Sequence, residues 1–275
     1  MFKNILAEMR IRQWTKNFFV YAAVLFHGNL FNTQAFAIAT EVFISFSLTA
    51  SGIYFFNDLC DLERDRLNPR KSRRPIASGA IGKASGLFCA AILMTAGLTF
   101  AYRINFPVFA IVASYVVLNL LYSAGLKRLM IVDVLIISYG FVSRTIVGAL
   151  ATQIQMTTWF VLCVMFLSLF LALGKRRHDL ATSTIAQRSL HVEFVDQLMT
   201  IATAGIIMCY SLFTLSTARE MIFTLPLVLY GVFYYLYIVR VKGIGGAPDE
   251  ILYTERPILI TVLLYVVCVI LIRDV

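Results

Sequence analysis

The sequence predicts an all-α polytopic membrane protein, and three observations support this fold class. Hydrophobic residues make up 60% of the 275-residue chain, and only 14% of its residues are charged. The mean hydropathy is +0.81. The apolar residues fall into long segments that are separated by short charged loops. This pattern excludes an ordinary soluble domain and is typical of a bundle of membrane-spanning helices.

The apolar segments predict nine membrane-spanning helices, with eight as the alternative count if the first segment is re-entrant. They lie at about 18–31, 35–56, 84–102, 106–123, 129–150, 157–174, 196–217, 222–239 and 256–272. Residues 1–17 combine apolar residues at helical spacing with basic ones, which predicts an interfacial helix. We expect a single domain over 1–275, built around a central polar cavity open to the cytoplasm.

The placement of charge predicts the orientation. Most of the 24 Lys and Arg residues lie in the N-terminal segment and in the loops on the same side of the predicted bundle. The positive-inside rule therefore places the N-terminus and the loops at about 57–83 and 175–195 in the cytoplasm of a cell with an inner membrane. Nine spans would leave the C-terminus outside. The five cysteines are scattered and have no metal-binding or disulfide spacing.

Three aspartates at the end of the second apolar segment form the strongest candidate site. On a helix, Asp58, Asp61 and Asp65 fall at about 0°, 300° and 340°, so their carboxylates share one narrow face. Such a face needs a cation or heavy solvation, and Mg²⁺ suits carboxylate oxygens together with a substrate phosphate. The alternative is a solvated loop in which the acids pair with nearby arginines.

Basic residues accompany these acids and suggest a phosphorylated substrate. They include Arg70, Lys71, Arg73 and Arg74 in the same loop, and Lys175 and Arg176 after the sixth apolar segment, where Asp179 could contact a metal or a ribose. Lys16, Tyr122 and Lys127 could also grip phosphates. For Lys175, Arg176, Lys127 and Lys16 the alternative is a basic anchor at the lipid headgroups.

Arg144 is the one charged side chain that the sequence places deep inside a predicted span. It follows Asp133 by eleven residues, about 16 Å along a helix and roughly 20° away in angle. Because a charge at that depth is costly, we expect Arg144 to face a polar cavity on the same side as Asp133. A structural ion pair between spans is the alternative.

These residues resemble the UbiA superfamily of intramembrane prenyltransferases. The matching motif is Asn-Asp-x-x-Asp-x-x-x-Asp, here Asn57, Asp58, Asp61 and Asp65, and the resemblance covers essentially the whole chain. Members of that superfamily carry a second aspartate-rich motif after the sixth span, whereas this sequence has the basic stretch 174–179 there. This departure is similar to the decaprenyl-phosphate phosphoribosyltransferase branch, as are the stretches 13–17, 69–76, 122–127 and 143–144.

The resemblance implies a Mg²⁺-dependent transferase that moves 5-phosphoribose from phosphoribosyl pyrophosphate (PRPP) to a polyprenyl phosphate, for cell-envelope glycan or lipid synthesis. It implies Asp58, Asp61 and Asp65 as metal ligands and catalytic residues. The expected substrate-binding residues are Lys16, Asn57, Lys71, Arg74, Tyr122, Lys127, Arg144, Lys175, Arg176 and Asp179.

Two other functions stay open at this point. One is prenyl transfer from a prenyl diphosphate to an aromatic acceptor, as in quinone synthesis, which needs a site for a second Mg²⁺. The other is a non-enzymatic transporter, although Arg144 is the only charge clearly deep in a span and no inverted repeat is visible. We expect no nucleic-acid partner, and the sequence leaves the oligomeric state open.

Overall fold

A computed structural model describes residues 2–69, 71–181, 188–243 and 248–273 of the chain, and these form a helical bundle. The helices are α1 Phe2–Glu8, α2 Ala22–His27, α3 Thr33–Cys60, α4 Leu62–Arg66, α5 Lys83–Ile104, α6 Phe106–Ala124, α7 Met130–Thr152, α8 Thr158–Ala181, α9 Arg188–Thr217, α10 Leu225–Tyr237, α11 Pro248–Thr254 and α12 Arg256–Arg273. Short 3₁₀ helices cover Ile11–Tyr21, Leu126–Arg128 and Arg219–Thr224, and a π-helix covers Ile238–Lys242.

Eight helices within the described ranges are long and apolar enough to cross a membrane. They are α3, α5, α6, α7, α8, α9 from His191 onward, the run Arg219–Lys242 and α12. The chain is therefore a multi-pass membrane protein, but the predicted count of nine spans is not confirmed. The difference lies in the predicted first span at 18–31, which is divided between a 3₁₀ helix and the short α2.

The 3₁₀ helix Ile11–Tyr21 runs antiparallel to α3 and is held there by three side-chain hydrogen bonds. Trp14 donates to Ser51 at 3.1 Å and Asn17 to Ser47 at 2.8 Å. Tyr21 donates to Thr40 at 3.0 Å. This arrangement also corrects the prediction of one interfacial helix over 1–17, because α1 ends at Glu8 and Asn17 is buried.

A close approach on the other side of this 3₁₀ helix requires a glycine. A Cβ atom added to Gly148 of α7 would lie 1.9 Å from the carbonyl oxygen of Val20, so only glycine fits there. Hydropathy predicts neither the 3₁₀ helix nor the close approach at Gly148. It measures apolar content and not the contacts that hold an irregular segment in place.

Side-chain caps and core clusters position the helices. Asn32 caps α3 by accepting hydrogen bonds from the backbone N–H groups of Gln34 and Ala35, and Asn105 caps α6 in the same way at Val108. Separate buried clusters centre on Phe46, between the 3₁₀ helix, α3 and α6, and on Phe170, between α8, α9 and α10.

A third apolar cluster lies at the end of α3 and fixes the loop that follows it. Phe55 and Leu62 pack there with Ile76 and Ile81, all at most 5% exposed. The polar part of this loop is thus attached to a buried apolar base. Within the predicted loop at 175–195, α8 continues to Ala181, so Lys175, Arg176 and Asp179 lie on a helix; residues 182–187 and Arg70 lie outside the described residues.

Two grooves along the described helices are lined almost entirely by apolar side chains, and neither is the central polar cavity expected from the sequence. In its place, the charged side chains at the end of α3 pair closely with one another. Arg74, from the loop that follows α3, reaches back and lies between Asp58 and Asp65.

Candidate active site

Arg74 joins two of the three predicted metal-binding aspartates. Its Nη1 atom lies 3.1 Å from Asp58 and 2.6 Å from Asp65, and both carboxylates are buried. Lys71 adds a longer contact, with its Nζ atom 3.8 Å from Asp65. One positive group therefore already occupies the position between two carboxylates that the sequence predicted would bind a cation.

Arg10 reaches the same carboxylate from a distant part of the chain. It forms a close ion pair with Asp58, and its guanidinium lies 5.1 Å from the centre of the Tyr54 ring. The backbone of Arg10 is left-handed, with φ 52° and ψ 51°, a conformation that costs about 1–2 kcal/mol for a residue other than glycine. This turn ends α1 and directs the side chain to Asp58, so the strain is located at the candidate site.

Glu8 is a further buried acid beside Asp58. Its side chain is 1% exposed, and neither of its oxygens has a hydrogen-bond donor in good geometry. Burial, and next the hydrogen bond to the facing Asp58 carboxyl, raise the pKa of Glu8 from its ordinary 4.5 to about 8. Two carboxyl groups in contact share a proton unless a cation replaces it.

Asp61 lies on the same side of the helix end but has a different partner. Lys127, from the 3₁₀ turn after α6, contacts it at 2.5 Å. The neighbouring Asn57 accepts a hydrogen bond from Ser123 at 3.2 Å, near the end of α6. These two contacts attach the aspartate motif on α3 to the end of α6.

A second polar group connects α6, α7 and α8. The Tyr122 hydroxyl donates to Asp133 at 2.9 Å, and Arg176 Nη1 lies 3.8 Å from the other oxygen of Asp133. Asp133 also lies within electrostatic range of Lys175 and Asp179. The predicted residues of α8 therefore gather around Asp133, which the sequence placed on the same side of its span as Arg144.

Arg144 itself lies in a separate niche. Its guanidinium donates to Asn17 at 2.7 Å, to Tyr115 at 3.1 Å and to the Gly140 carbonyl, and it lies 4.6 Å from the centre of the Phe46 ring. In the ranges that the structure describes, no carboxylate pairs with it. In place of the expected polar cavity on the Asp133 side, neutral protein groups accept one hydrogen bond from each of the three nitrogen atoms of the guanidinium.

Lys16 is half-buried on the 3₁₀ helix, within electrostatic range of Tyr115. The predicted residues therefore form three groups, around Arg74, Asp61 and Asp133. Arg144 and Lys16 belong to none of these groups by the contacts described above. Arg177, next to Arg176, points elsewhere: it pairs with Asp196 at 2.8 Å and donates to the Val239 carbonyl.

Mg²⁺ prefers several hard oxygen ligands, and carboxylates supply such oxygens. Among the described residues, no three acidic, histidine or cysteine side chains already converge in a metal-binding arrangement. However, Asp58 and Asp65 converge on one cationic nitrogen, and Glu8 lies beside Asp58. These carboxyl groups supply hard oxygen atoms of the type that a divalent cation binds.

Sequence reasoning missed two residues at this site, Glu8 and Arg10. The sequence interpretation treats Arg10 only as one of the positive charges of the interfacial helix and gives Glu8 no role, whereas Arg10 contacts a residue 48 positions later. A single sequence contains no signal for such a contact. The one available hint was an acid within an otherwise basic N-terminal segment.

The fold and the site define the class of this protein: the chain belongs to the UbiA prenyltransferase family, whose family model matches residues 17–270. It is an enzyme of the transferase class, as the family and the relatives below establish.

Among curated relatives, the decaprenyl-phosphate phosphoribosyltransferase of Corynebacterium glutamicum is 30% identical over 98% of this chain and 86% of its own length. The enzyme of the same name from Mycolicibacterium smegmatis is 30% identical over 96% of this chain and 90% of its own length. The predicted family and branch likeness are confirmed.

A solved structure has the same fold. The UbiA homolog from Archaeoglobus fulgidus bound to DMAPP and Mg²⁺ superimposes with a TM-score of 0.75, at 18% identity, over 99% of both chains.

Proposed function

We propose that this protein transfers 5-phosphoribose from PRPP to a polyprenyl phosphate of the decaprenyl type, and that Mg²⁺ assists the transfer. The observation that carries the proposal is the contrast between the two polar ends of the site. Buried carboxylates gather at the end of α3, whereas the end of α8 presents Lys175 and Arg176 in place of a second acidic group. Near-full-length likeness to enzymes named for this transfer supports the same function.

The chemistry of the substrates explains this distribution. PRPP carries a pyrophosphate and a 5-phosphate, and the lipid acceptor carries another phosphate. Three phosphate groups at one site need many cationic donors and few acids. A prenyl diphosphate with a neutral aromatic acceptor would need fewer.

The aspartates would hold Mg²⁺ against the pyrophosphate of PRPP. Asp58 and Asp65 are the first candidates because they already converge on Arg74, and Asp61 would join them when Lys127 turns to a phosphate. When bound, Mg²⁺ would supply charge stabilisation for the departing pyrophosphate. Asn57 would keep its link to Ser123 and so hold the motif in place.

The basic residues would position the phosphates. Arg74, Lys71 and Lys127 surround the aspartates and would turn from carboxylates to phosphate oxygens as donor and metal enter. Lys175, Arg176, Asp179 and Tyr122 would bind the remaining groups around Asp133, and Lys16 and Arg144 would act from the 3₁₀ helix and α7.

The bond changes balance without an additional reactant. The C1–O bond between ribose and pyrophosphate breaks, and pyrophosphate leaves with the bonding electrons. An oxygen of the lipid phosphate then bonds to C1, whose ribose has become oxocarbenium-like. Because this nucleophile is already an anion, no strong general base is needed.

We also propose that residues 1–275 act as a single domain in the inner membrane, with the N-terminus and the ends of α3 and α8 on the cytoplasmic side. The concentration of Lys and Arg at those ends supports this orientation. Accessibility of cysteines introduced at Arg64 and Arg219, measured in intact cells, checks it: the first should be protected from an impermeant reagent and the second labelled.

Incubation of purified protein with two donor–acceptor pairs tests the function. One pair is PRPP with decaprenyl monophosphate, and the other is geranylgeranyl diphosphate with an aromatic acid, both read by lipid mass spectrometry. We expect a phosphoribosyl lipid that forms only with Mg²⁺ in the first reaction. A prenylated aromatic product together with no phosphoribosyl lipid would overturn the proposal.

A further inference from the structure

A groove on the outer surface of the bundle lies between α7, α8 and α9. Its cavity volume is about 180 Å³, and its lining is apolar except at one end. Along α8 it extends from Phe166 to Arg176, which corresponds to about 15 Å of helix. Leu135 and Ile201 stand at its open side, 52% and 63% exposed, so the groove faces the surrounding lipid.

The charged end of this groove is Arg176. Its Nη1 atom is 3.8 Å from Asp133, a loose ion pair, and its Nε atom is buried without a hydrogen-bond partner. A buried donor without an acceptor is costly, so this guanidinium retains the capacity to bind one more anionic oxygen.

The same end of the groove leads to the candidate active site. Arg176 contacts Asp133, and Asp133 in turn accepts the hydrogen bond from Tyr122 on α6. Lys127, five residues after Tyr122, contacts Asp61 of the aspartate motif. A phosphate bound at Arg176 would therefore lie beside the place where the donor sugar is proposed to bind.

A second apolar groove shows that size alone does not define a binding site. It lies along α5 between Phe88 and Arg103, and its cavity volume of about 540 Å³ is the larger one. Its arginine lies in the last turn of α5, at the end opposite to Gly86, which packs beside Leu59 of the aspartate segment. This groove combines an apolar lining and a cation but has no connection to the site.

We propose that the groove between α7, α8 and α9 binds the acceptor, with the isoprene units next to the phosphate along its apolar wall and the phosphate at Arg176. One cation at the inner end of an apolar channel matches one anion at the end of a long apolar chain. Because the groove is short and open to the bilayer, the rest of the chain extends into lipid. This inference rests on the proposed function only for the identity of the acceptor.

Photo-crosslinking tests the site on the unaltered protein. A polyprenyl monophosphate with a diazirine near the phosphate is activated in nanodiscs, and the labelled residues are mapped by mass spectrometry. We expect labelling at Ile131, Leu135 and Leu198 that decaprenyl monophosphate competes away and neutral decaprenol does not. Equal labelling of the α5 groove, or labelling that both lipids compete equally, would overturn the inference.

Kinetics supply a second test with a matched control. Leu135→Trp places a bulky side chain at the groove, and Ile92→Trp does the same in the α5 groove at a position of similar exposure, 49% against 52%. We expect Leu135→Trp to raise the KM for decaprenyl monophosphate about tenfold and to leave the KM for PRPP unchanged within about twofold. Ile92→Trp should change neither constant, and the same result for both variants would contradict the assignment.

The two experiments separate this inference from the proposed function. Competed crosslinking in the α7–α9 groove without any phosphoribosyl lipid would support the groove and reject PRPP as donor. Formation of phosphoribosyl lipid without crosslinking in the groove would support the donor and reject the groove.

Discussion

The two polar ends of the site differ in how completely their charges are satisfied. At the end of α3, Asp58 and Asp65 are buried and receive Arg10 and Arg74 in close contact. At the end of α8, Arg176 reaches Asp133 only at 3.8 Å and keeps a buried Nε atom without a partner. The acidic end is neutralised by the chain itself, whereas the basic end has spare capacity.

This difference indicates that the two ends respond differently to their ligands. At the acidic end, a bound metal would take the place of arginines, which could then bind the phosphates that accompany the metal. Such an exchange keeps buried carboxylates from remaining unpaired, which would be costly. At the basic end, the Nε atom of Arg176 has no existing partner to release when it binds an anion.

The largest expected effect comes from removing one carboxylate of the acidic end. Asp58→Asn should lower kcat/KM by about 10³-fold, because it removes a metal ligand from a buried site. Steady-state rates with PRPP and decaprenyl monophosphate measure the loss. Glu63→Gln is the matched control, since Glu63 is 77% exposed and pairs only loosely with Arg66. Activity of Asp58→Asn near the wild-type level would remove the metal assignment.

A smaller effect should follow from changing the guanidinium that bridges the two aspartates. Arg74→Lys keeps the charge but loses the planar donor set, so we expect kcat/KM for PRPP to fall by about 10- to 100-fold. Arg64→Lys, at an exposed position of α4, is the control and should have no effect. If only the KM for decaprenyl monophosphate changed, Arg74 would bind the lipid and not PRPP, which would contradict the prediction.

The adjacent arginines of α8 give a still smaller and more selective effect. Arg176→Gln should raise the KM for decaprenyl monophosphate about tenfold and leave thermal stability nearly unchanged. Arg177→Gln should leave this KM nearly unchanged and lower the free energy of unfolding by about 1–3 kcal/mol. The reason is that Arg177 pairs with Asp196 and donates to the Val239 carbonyl. Identical behaviour of the two variants would remove the distinction drawn between them.

The last prediction concerns the pH dependence of stability and Glu8. Its pKa is 4.5 when unfolded and about 8 when folded, so the folded state holds an additional proton between these values. Stability is therefore greatest at low pH and falls as pH rises from about 5 through 8. In EDTA, Tm of the wild type should decline over this range relative to Tm of Glu8→Gln. Parallel curves would show that Glu8 is ionised throughout.

The helices and the aspartate motif could be predicted because both depend on local pattern. Apolar runs define helices such as α5 and α8, and the spacing of Asp58, Asp61 and Asp65 places them at one helix end. The sequence could not predict that Asp65 pairs with Arg74 whereas Asp61 pairs with Lys127. These pairings depend on how the loops after α3 and α6 fold back over the end of α3.

The contacts of Arg144 show the same limit. Sequence spacing correctly indicated a buried arginine, but it predicted a polar cavity on the side of Asp133 and no particular partner. The actual partners, Asn17 and Tyr115, come from other elements. The 3₁₀ helix that brings Asn17 there is stabilised by tertiary contacts and not by its own propensity.

The central claim is that the C1–O bond of PRPP breaks and that the ribose, with its 5-phosphate, moves to the lipid. Two preparations of PRPP, one labelled with ³²P in the 5-phosphate and one in the β-phosphate, test this directly when each is incubated with decaprenyl monophosphate and Mg²⁺. The account predicts that the first label appears in the lipid fraction and the second in free pyrophosphate. Recovery of the β-label in lipid, or of neither label there, would contradict it.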